Sequence, residues 1–417
     1  MTTKRISQFV KIVAAALAIL TCALGFTVML KNDHGSEITP PGTNTTEPGN
    51  TTDDTTPEDT SDTDLAPGTE YIPPEITNPP VDDDGYINYL AAGGELELPV
   101  VGASGYASIP MDIKAEADAS SAKVGSLTSG EGFRIISESG AWWKIESQSA
   151  TGWVTHKFCF INLPDVIPSA IYYDSNAIAS QFVSSGKKIP GISGYKLYDA
   201  FAYNERLGRD EFIMPVLYSM APKICAAQQA ALENGNTLVI YETFRPRDIQ
   251  QKVVNLLTML AGIDEEVNSG ITTSPWSMTW FISTGVSNHQ KGYAFDVSLG
   301  KVLAHTTATT GQYKYTVITS YAEFDMPTPM HELSLASASM QYPVSSKSDT
   351  AWRDVPPADS MNEPALLLKK VCTGAGLSPL ASEWWHFNDL STAALVADSK
   401  NIGDYYINTV MSRPPEG

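Results

Sequence analysis

Three short segments of this 417-residue chain carry residue types that could together hydrolyse a polar bond. In Ser287-Asn288-His289-Gln290-Lys291-Gly292-Tyr293-Ala294-Phe295-Asp296, a His and an Asp stand seven positions apart around a glycine. Both could ligate a metal if the chain turns at Gly292, although a His near an Asp is more often a surface hydrogen bond. Glu383-Trp384-Trp385-His386-Phe387 sets a carboxylate three residues before a His among aromatics. A charged group in an apolar wall is costly unless it is paired, metal-bound or catalytic. Neutral imidazole is a good zinc ligand, and Glu is a natural base beside it. The plainer alternative is a surface Glu next to a packed His. Glu242-Thr243-Phe244-Arg245-Pro246 supplies an Arg stiffened by the following Pro, either as a fixed cation for an oxyanion or as the partner of an acid. Taken together, His289, Asp296 and His386 make a three-ligand zinc site with an open position for water. Glu383 would take that water's proton, and Arg245 would stabilise the tetrahedral oxyanion.

The surrounding elements must bring these segments together. Thr237–Glu242 reads as a strand, so Arg245 sits just beyond a strand end. Asp248–Ala261 predicts a helix with Val253, Leu256, Leu257 and Leu260 on one face. Pro215–Asn234 is expected to be helical, with Pro in the first turn and Gly235 just past the end. Tyr293–Leu299 and Trp384–Phe387 read as short strands, and Pro364–Thr373 as a helix. There is no regular βαβ alternation and no internal repeat, which points to an α+β fold. Upstream, residues 104–162 alternate apolar and polar positions between Gly and Ser breaks, the pattern of a small antiparallel barrel.

Composition bounds the rest. The net charge is −20, but residues 31–85 hold 14 Asp or Glu against one Lys and so contribute −13 of it. The chain lacks the clustered Lys and Arg of a nucleic-acid binder. Four Cys are too few for a disulfide scaffold, and Cys159, Cys225 and Cys372 are expected as buried thiols, with one disulfide among them as the alternative. Lys4, Arg5 and Lys11 precede 19 uncharged residues, Ile12 to Leu30, enough to cross a bilayer as a helix. The positive-inside rule keeps the N-terminus cytoplasmic and exports the remainder, with a cleaved signal and a secreted product as the alternative. Residues 32–85, rich in Thr, Pro and acids, form a solvated linker. The expected organisation is an anchor or signal at 1–31, the linker at 32–85, the barrel at 86–163 and a catalytic domain at 164–417.

Two resemblances add to this reading. The run "SSAKVGSLTSGEGFRIISESGAWWKIESQSATGWV" resembles a bacterial SH3 domain, most specifically at Gly152-Trp153-Val154. It departs at Asp112-Ile113-Lys114-Ala115-Glu116, where Asn-Val-Arg is usual, so the likeness implies either cell-wall binding or a spacer. "SNHQKGYAFD" satisfies the Ser-x-His-x-x-Gly-x-Ala-x-Asp motif of the zinc D-alanyl-D-alanine peptidases, dipeptidases and carboxypeptidases alike. "SEWWHF", "YETFRP" and "SSGKKIPGISGYK" are similar to further segments of the dipeptidases, over about residues 170 to 390.

This resemblance implies an α+β fold with a central antiparallel sheet flanked by helices. It also implies Zn²⁺ on His289, Asp296 and His386, Glu383 as general base and Arg245 as transition-state stabiliser. Ser287, Trp384 and Trp385 are candidate substrate contacts. Where the dipeptidases place an Asp for the substrate ammonium, this chain has His331, with Glu332 beside it as a possible substitute. Export and the barrel direct the expectation to a D,D-carboxypeptidase acting on peptidoglycan stem peptides. The alternatives are a D-Ala-D-Ala dipeptidase, another wall peptidase such as an endopeptidase, and a non-catalytic wall-binding protein.

Overall fold

The structure, a computed structural model, describes residues 69–415. The expected membrane span at 12–30 and most of the acidic linker lie outside the described residues. Among the described residues no helix is long and apolar enough to cross a membrane.

Strands β1 to β7 are Ser104–Ala107, Met111–Lys114, Lys123–Leu127, Gly132–Ser139, Trp142–Glu146, Thr151–Thr155 and Cys159–Asn162. β8 is Ile171–Tyr172. β9 (Val183–Ser184) and β10 (Lys187–Lys188) form one hairpin, and β11 (Phe201–Asn204) and β12 (Arg209–Phe212) another. β13 is Pro215–Leu217, β14 Asn236–Glu242, β15 Ala294–Thr310, β16 Tyr313–Glu323, β17 Ser378–Leu380 and β18 Glu383–Asn388.

The barrel region is one antiparallel sheet in the order β13-β7-β1-β4-β5-β6-β2-β3. Its inward positions follow the two-residue period of a strand: Phe133 and Ile135 on β4, Trp143 and Ile145 on β5, Val154 on β6. Gly152 has no Cβ because β2 passes too close, and a side chain there would strike the Lys114 carbonyl. The eighth strand, β13, comes from residues expected to begin a helix. The Ala221–Glu233 helix instead starts six residues later, because Pro215, Val216 and Leu217 are buried and pair with Asn162, Ile161 and Phe160 of β7. A free strand edge and an apolar face outweighed local helix propensity.

The second sheet runs β17-β18-β15-β14-β8, with β16 on β15. All its pairings are antiparallel except β14 with β8, so the molecule is α+β as expected. β14 is buried along its whole length, which its unbroken apolar centre requires of a central strand. β15 runs far beyond the expected Leu299. After Gly300 it leaves the core and continues with β16 as a two-stranded arm turning at Gly311. Helices Ala221–Glu233 and Glu363–Gly374 pack on each other and on this sheet. Helices Arg247–Ala261 and Glu265–Thr272 enclose a separate core with Val253, Leu257, Val267, Ile271 and Phe281. The three described cysteines are free and buried.

The barrel edge and the second sheet meet at Gly292. This residue ends the short helix Asn288–Lys291 at φ +83°, in the left-handed region, and its carbonyl accepts the Leu217 N–H of β13 at 2.8 Å. A Cβ there would drive into the Phe160 ring of β7. Gly292→Ala therefore combines backbone strain with a clash and should lower unfolding stability by about 1–3 kcal/mol. Denaturant titration checks this, and an unchanged midpoint would mean that the turn relaxes freely.

Candidate metal centre

Strand register builds the site. Glu242 of β14 lies opposite Asp296 of β15, and Asp296 lies opposite His386 of β18. Neighbouring strands run about 4.8 Å apart, so side chains on one rung reach a common point. Both outer strands are irregular here. The pairing of β14 with β15 shifts between Ile240 and Glu242, and that of β17 with β18 between Pro379 and Leu380. Residues three apart on a regular strand face opposite sides. The shift at β17 and β18 lets Glu383 and His386 line the same cleft. His289 enters from the short helix turned by Gly292, as its spacing from Asp296 requires.

His386 Nδ1 stands 2.9 Å from Asp296 Oδ1. His289 Nε2 is 3.1 Å from His386 Nδ1 and 3.4 Å from Asp296 Oδ1. The outer ring nitrogens face fixed acceptors: His289 Nδ1 lies 2.7 Å from the Thr243 carbonyl, and His386 Nε2 3.1 Å from Asn388 Oδ1. A ring whose proton sits on the outer nitrogen, donating to that acceptor, can offer its inner nitrogen to a cation. In that tautomer two lone pairs and a carboxylate oxygen converge on one point, where a cation would offset their repulsion. The donor set, two imidazoles and a carboxylate with outward-tied rings, fits a divalent ion such as Zn²⁺.

Asp296 is 1% exposed. Burial opposes its ionisation, but the three facing imidazoles hold its carboxyl well below the usual range. Glu383 Oε2 lies 3.7 Å from His386 Nδ1. Without a cation, burial pushes the Glu383 carboxyl up to about 8, against the pull of His386.

Arg245 donates from Nε to Glu242 Oε1 at 2.9 Å, from Nη2 to Glu242 Oε2, and from Nη1 to Gln250 Oε1 at 2.6 Å. Its Nη2 is 3.6 Å from Asp296 Oδ2. Burial disfavours both charges, yet their attraction prevails: the Arg245 pKa is raised and that of Glu242 lowered. Asn176 Nδ2 donates to Glu242 Oε1 at 2.6 Å and fixes it from behind. Glu242, Asp296 and His331 form a second cluster of ligand-type atoms. There the Arg245 guanidinium already supplies the positive charge.

These groups open into a cleft of about 350 Å³, a size suited to a small ligand. Of the residues singled out from sequence, His289, Asp296, His386, Glu383, Arg245, Ser287, His331 and Trp385 line it. Two proposed substrate contacts do not. Trp384 is buried in the core with its Nε1 donating to Thr328 Oγ1 at 2.9 Å. The Glu332 carboxylate accepts the N–H groups of Ser185 at 2.6 Å and Gly186 at 2.8 Å, tying down the β9–β10 turn. Glu242, Gln250 and Asn388 escaped the sequence reading. Glu242 carried a usable signal, a carboxylate ending an apolar strand three residues before Arg245; the other two carried none.

The raised Glu383 carboxyl has a pH consequence for metal-free protein. The unfolded chain loses this proton near 4.5, whereas the folded chain keeps it to about 8, so the folded state binds more protons in between. Stability of the wild type should therefore fall relative to Glu383→Gln as pH rises through that window. Paired denaturant titrations at several pH values measure the difference; parallel curves would refute the assignment.

Comparison with known proteins agrees with this architecture. Residues 111–158 match the family model described as bacterial SH3 domain. Residues 195–405 match the one described as D-ala-D-ala dipeptidase. No curated protein matches the chain. The second match spans just over half of the 417 residues and contains His289, Asp296, Glu383 and His386, so the chain belongs to the D-ala-D-ala dipeptidase family of peptidases, M15, with a bacterial SH3 domain ahead of the peptidase region.

Proposed function

We propose that this protein is an exported zinc D,D-carboxypeptidase, tethered by residues 12–30, that removes the terminal D-Ala from peptidoglycan stem peptides. The observation that carries the hydrolase reading is the convergence of His289 Nε2, His386 Nδ1 and Asp296 Oδ1 beside the Glu383 carboxylate in one cleft. A zinc ion held by these three residues would supply Lewis acidity to a water and to the scissile carbonyl. Glu383 accepts the water proton and returns it to the leaving amine. Arg245, oriented by Glu242 and Gln250, lines the same cleft and would offer its positive charge to the developing oxyanion. The buried Trp385 excludes water from one wall of the cleft.

The carboxypeptidase reading draws support from the carboxylates at the cleft wall. Among the described lining residues these are Asp296 and Glu383, and both belong to the metal group. Glu332 is engaged elsewhere. A free dipeptide would bring an ammonium with no anionic partner, a costly burial. An acylated stem peptide brings a neutral amide instead. The dipeptidase reading remains the competitor because the matching family bears that name. For the barrel we favour a fixed platform over a swinging wall-binding arm, since its edge strand β7 is extended by β13 from the peptidase region.

Zinc-loaded full-length protein should release D-Ala from a pentapeptide stem ending in D-Ala-D-Ala, and far more slowly from free D-Ala-D-Ala. Cleavage mainly of the free dipeptide would favour the dipeptidase, and cleavage of neither would reject both. Glu383→Ala should retain zinc but lose about 10²–10⁴-fold in kcat. Full activity of that variant with stoichiometric zinc would remove Glu383 from the mechanism.

A further inference from the structure

His331 is fully buried against the metal group. Its Nε2 lies 3.1 Å from Asp296 Oδ2 and 3.8 Å from Glu242 Oε2. A carboxylate can only accept, so the hydrogen of this contact resides on Nε2. The other ring nitrogen, Nδ1, is buried without a hydrogen-bond partner, which makes Asp296 the polar attachment of the ring. Phe182 stacks on the ring at 4.4 Å and 19°, and Trp385 meets it edge-on at 6.2 Å, so its plane is fixed.

The backbone is held with equal care. His331 has φ +61°, in the left-handed region that non-glycine residues seldom occupy. Val183 N–H donates to its carbonyl at 3.1 Å, and Leu333 N–H donates to the Val183 carbonyl at 2.8 Å. The neighbouring Glu332 carboxylate grips the turn at Ser185 and Gly186. These contacts set the ring against Asp296 despite the strained conformation.

Asp296 thus has two differently employed oxygens. Oδ1 faces His289 and His386, and Oδ2 faces His331, with Arg245 Nη2 farther off at 3.6 Å and already committed to Glu242. Rotation of this carboxylate would withdraw Oδ1 from the imidazoles. We infer that His331 is a positioning residue whose Nε2–H clamps Oδ2 and so presents Oδ1 to the metal. This inference rests on the reading of His289, Asp296 and His386 as the metal ligands. The ring's Nε2–H is thereby spent on Asp296.

The test uses full-length protein with two substitutions. Asn tolerates the left-handed backbone but is too short for Nε2's place, whereas Gln can carry an amide N–H toward it. Zinc affinity is measured by chelator competition, and the ligand field by the visible spectrum of Co²⁺-loaded protein. His331→Asn should bind zinc about 10–100-fold more weakly with altered Co²⁺ bands, and His331→Gln should recover most of that loss. Wild-type affinity and spectrum in His331→Asn, or equal losses in both variants, would overturn the clamp. Failure of the wild type to bind zinc would instead overturn the metal-centre reading beneath it. If His331→Asn does not fold, ¹⁵N-imidazole NMR of the zinc-loaded wild type decides: a protonated Nε2 supports the clamp, and a protonated Nδ1 with bare Nε2 refutes it.

Discussion

One buried carboxylate, Asp296, faces four nitrogens, and the catalytic half of the molecule is arranged around that demand. His289, His386, His331 and Arg245 each approach it from a different element. An ionised carboxylate removed from water is severely penalised unless opposite charge and hydrogen-bond donors surround it. The partners must therefore be present together, and they are, because Glu242, Asp296 and His386 share one rung of three adjacent strands. A register slip of one residue would carry Asp296 to the opposite face of the sheet and dismantle the group.

Much of the remaining structure holds that rung in place. The barrel contributes Phe160, which packs beneath Gly292 and against Phe244, next to Arg245. β13 ties the Gly292 carbonyl to the barrel edge. The C-terminal segment closes the same region from the other side: Asn401 Nδ2 donates to the Gln290 carbonyl at 2.9 Å, and the Gly403 carbonyl accepts the Arg247 N–H at 2.9 Å. It continues along the barrel, where Tyr106 donates to the Thr409 carbonyl and Ser104 meets Ser412. The SH3-like unit is built into the peptidase body.

The sequence reading succeeded where local chemistry is self-sufficient. Alternation revealed β4, β5 and β6, an unbroken apolar run revealed β14, and the three motifs named His289, Asp296 and His386, which the structure brings together. It failed where a residue's fate depends on a distant neighbour. Pro215–Leu217 have helix-compatible surroundings but find a strand edge more than 50 residues upstream. Glu332 looks like a substrate carboxylate but meets the amides of Ser185 and Gly186. Trp384 and Trp385 are adjacent and alike, yet one enters the core while the other lines the cleft.

The amino-acid sequence by itself determined the kinds of group available: two imidazoles, an Asp, a Glu and an Arg in segments able to turn or extend toward one another, and a barrel ahead of them. Those properties reside in side-chain chemistry and short-range backbone preference. The tertiary structure alone decided which oxygen of Asp296 faces which ring, that Arg245 is forked onto Glu242, and that His331 stands against Asp296. Each of these depends on strand register, bulges and packing between residues tens to hundreds of positions apart, and burial converts such small geometric differences into large electrostatic ones.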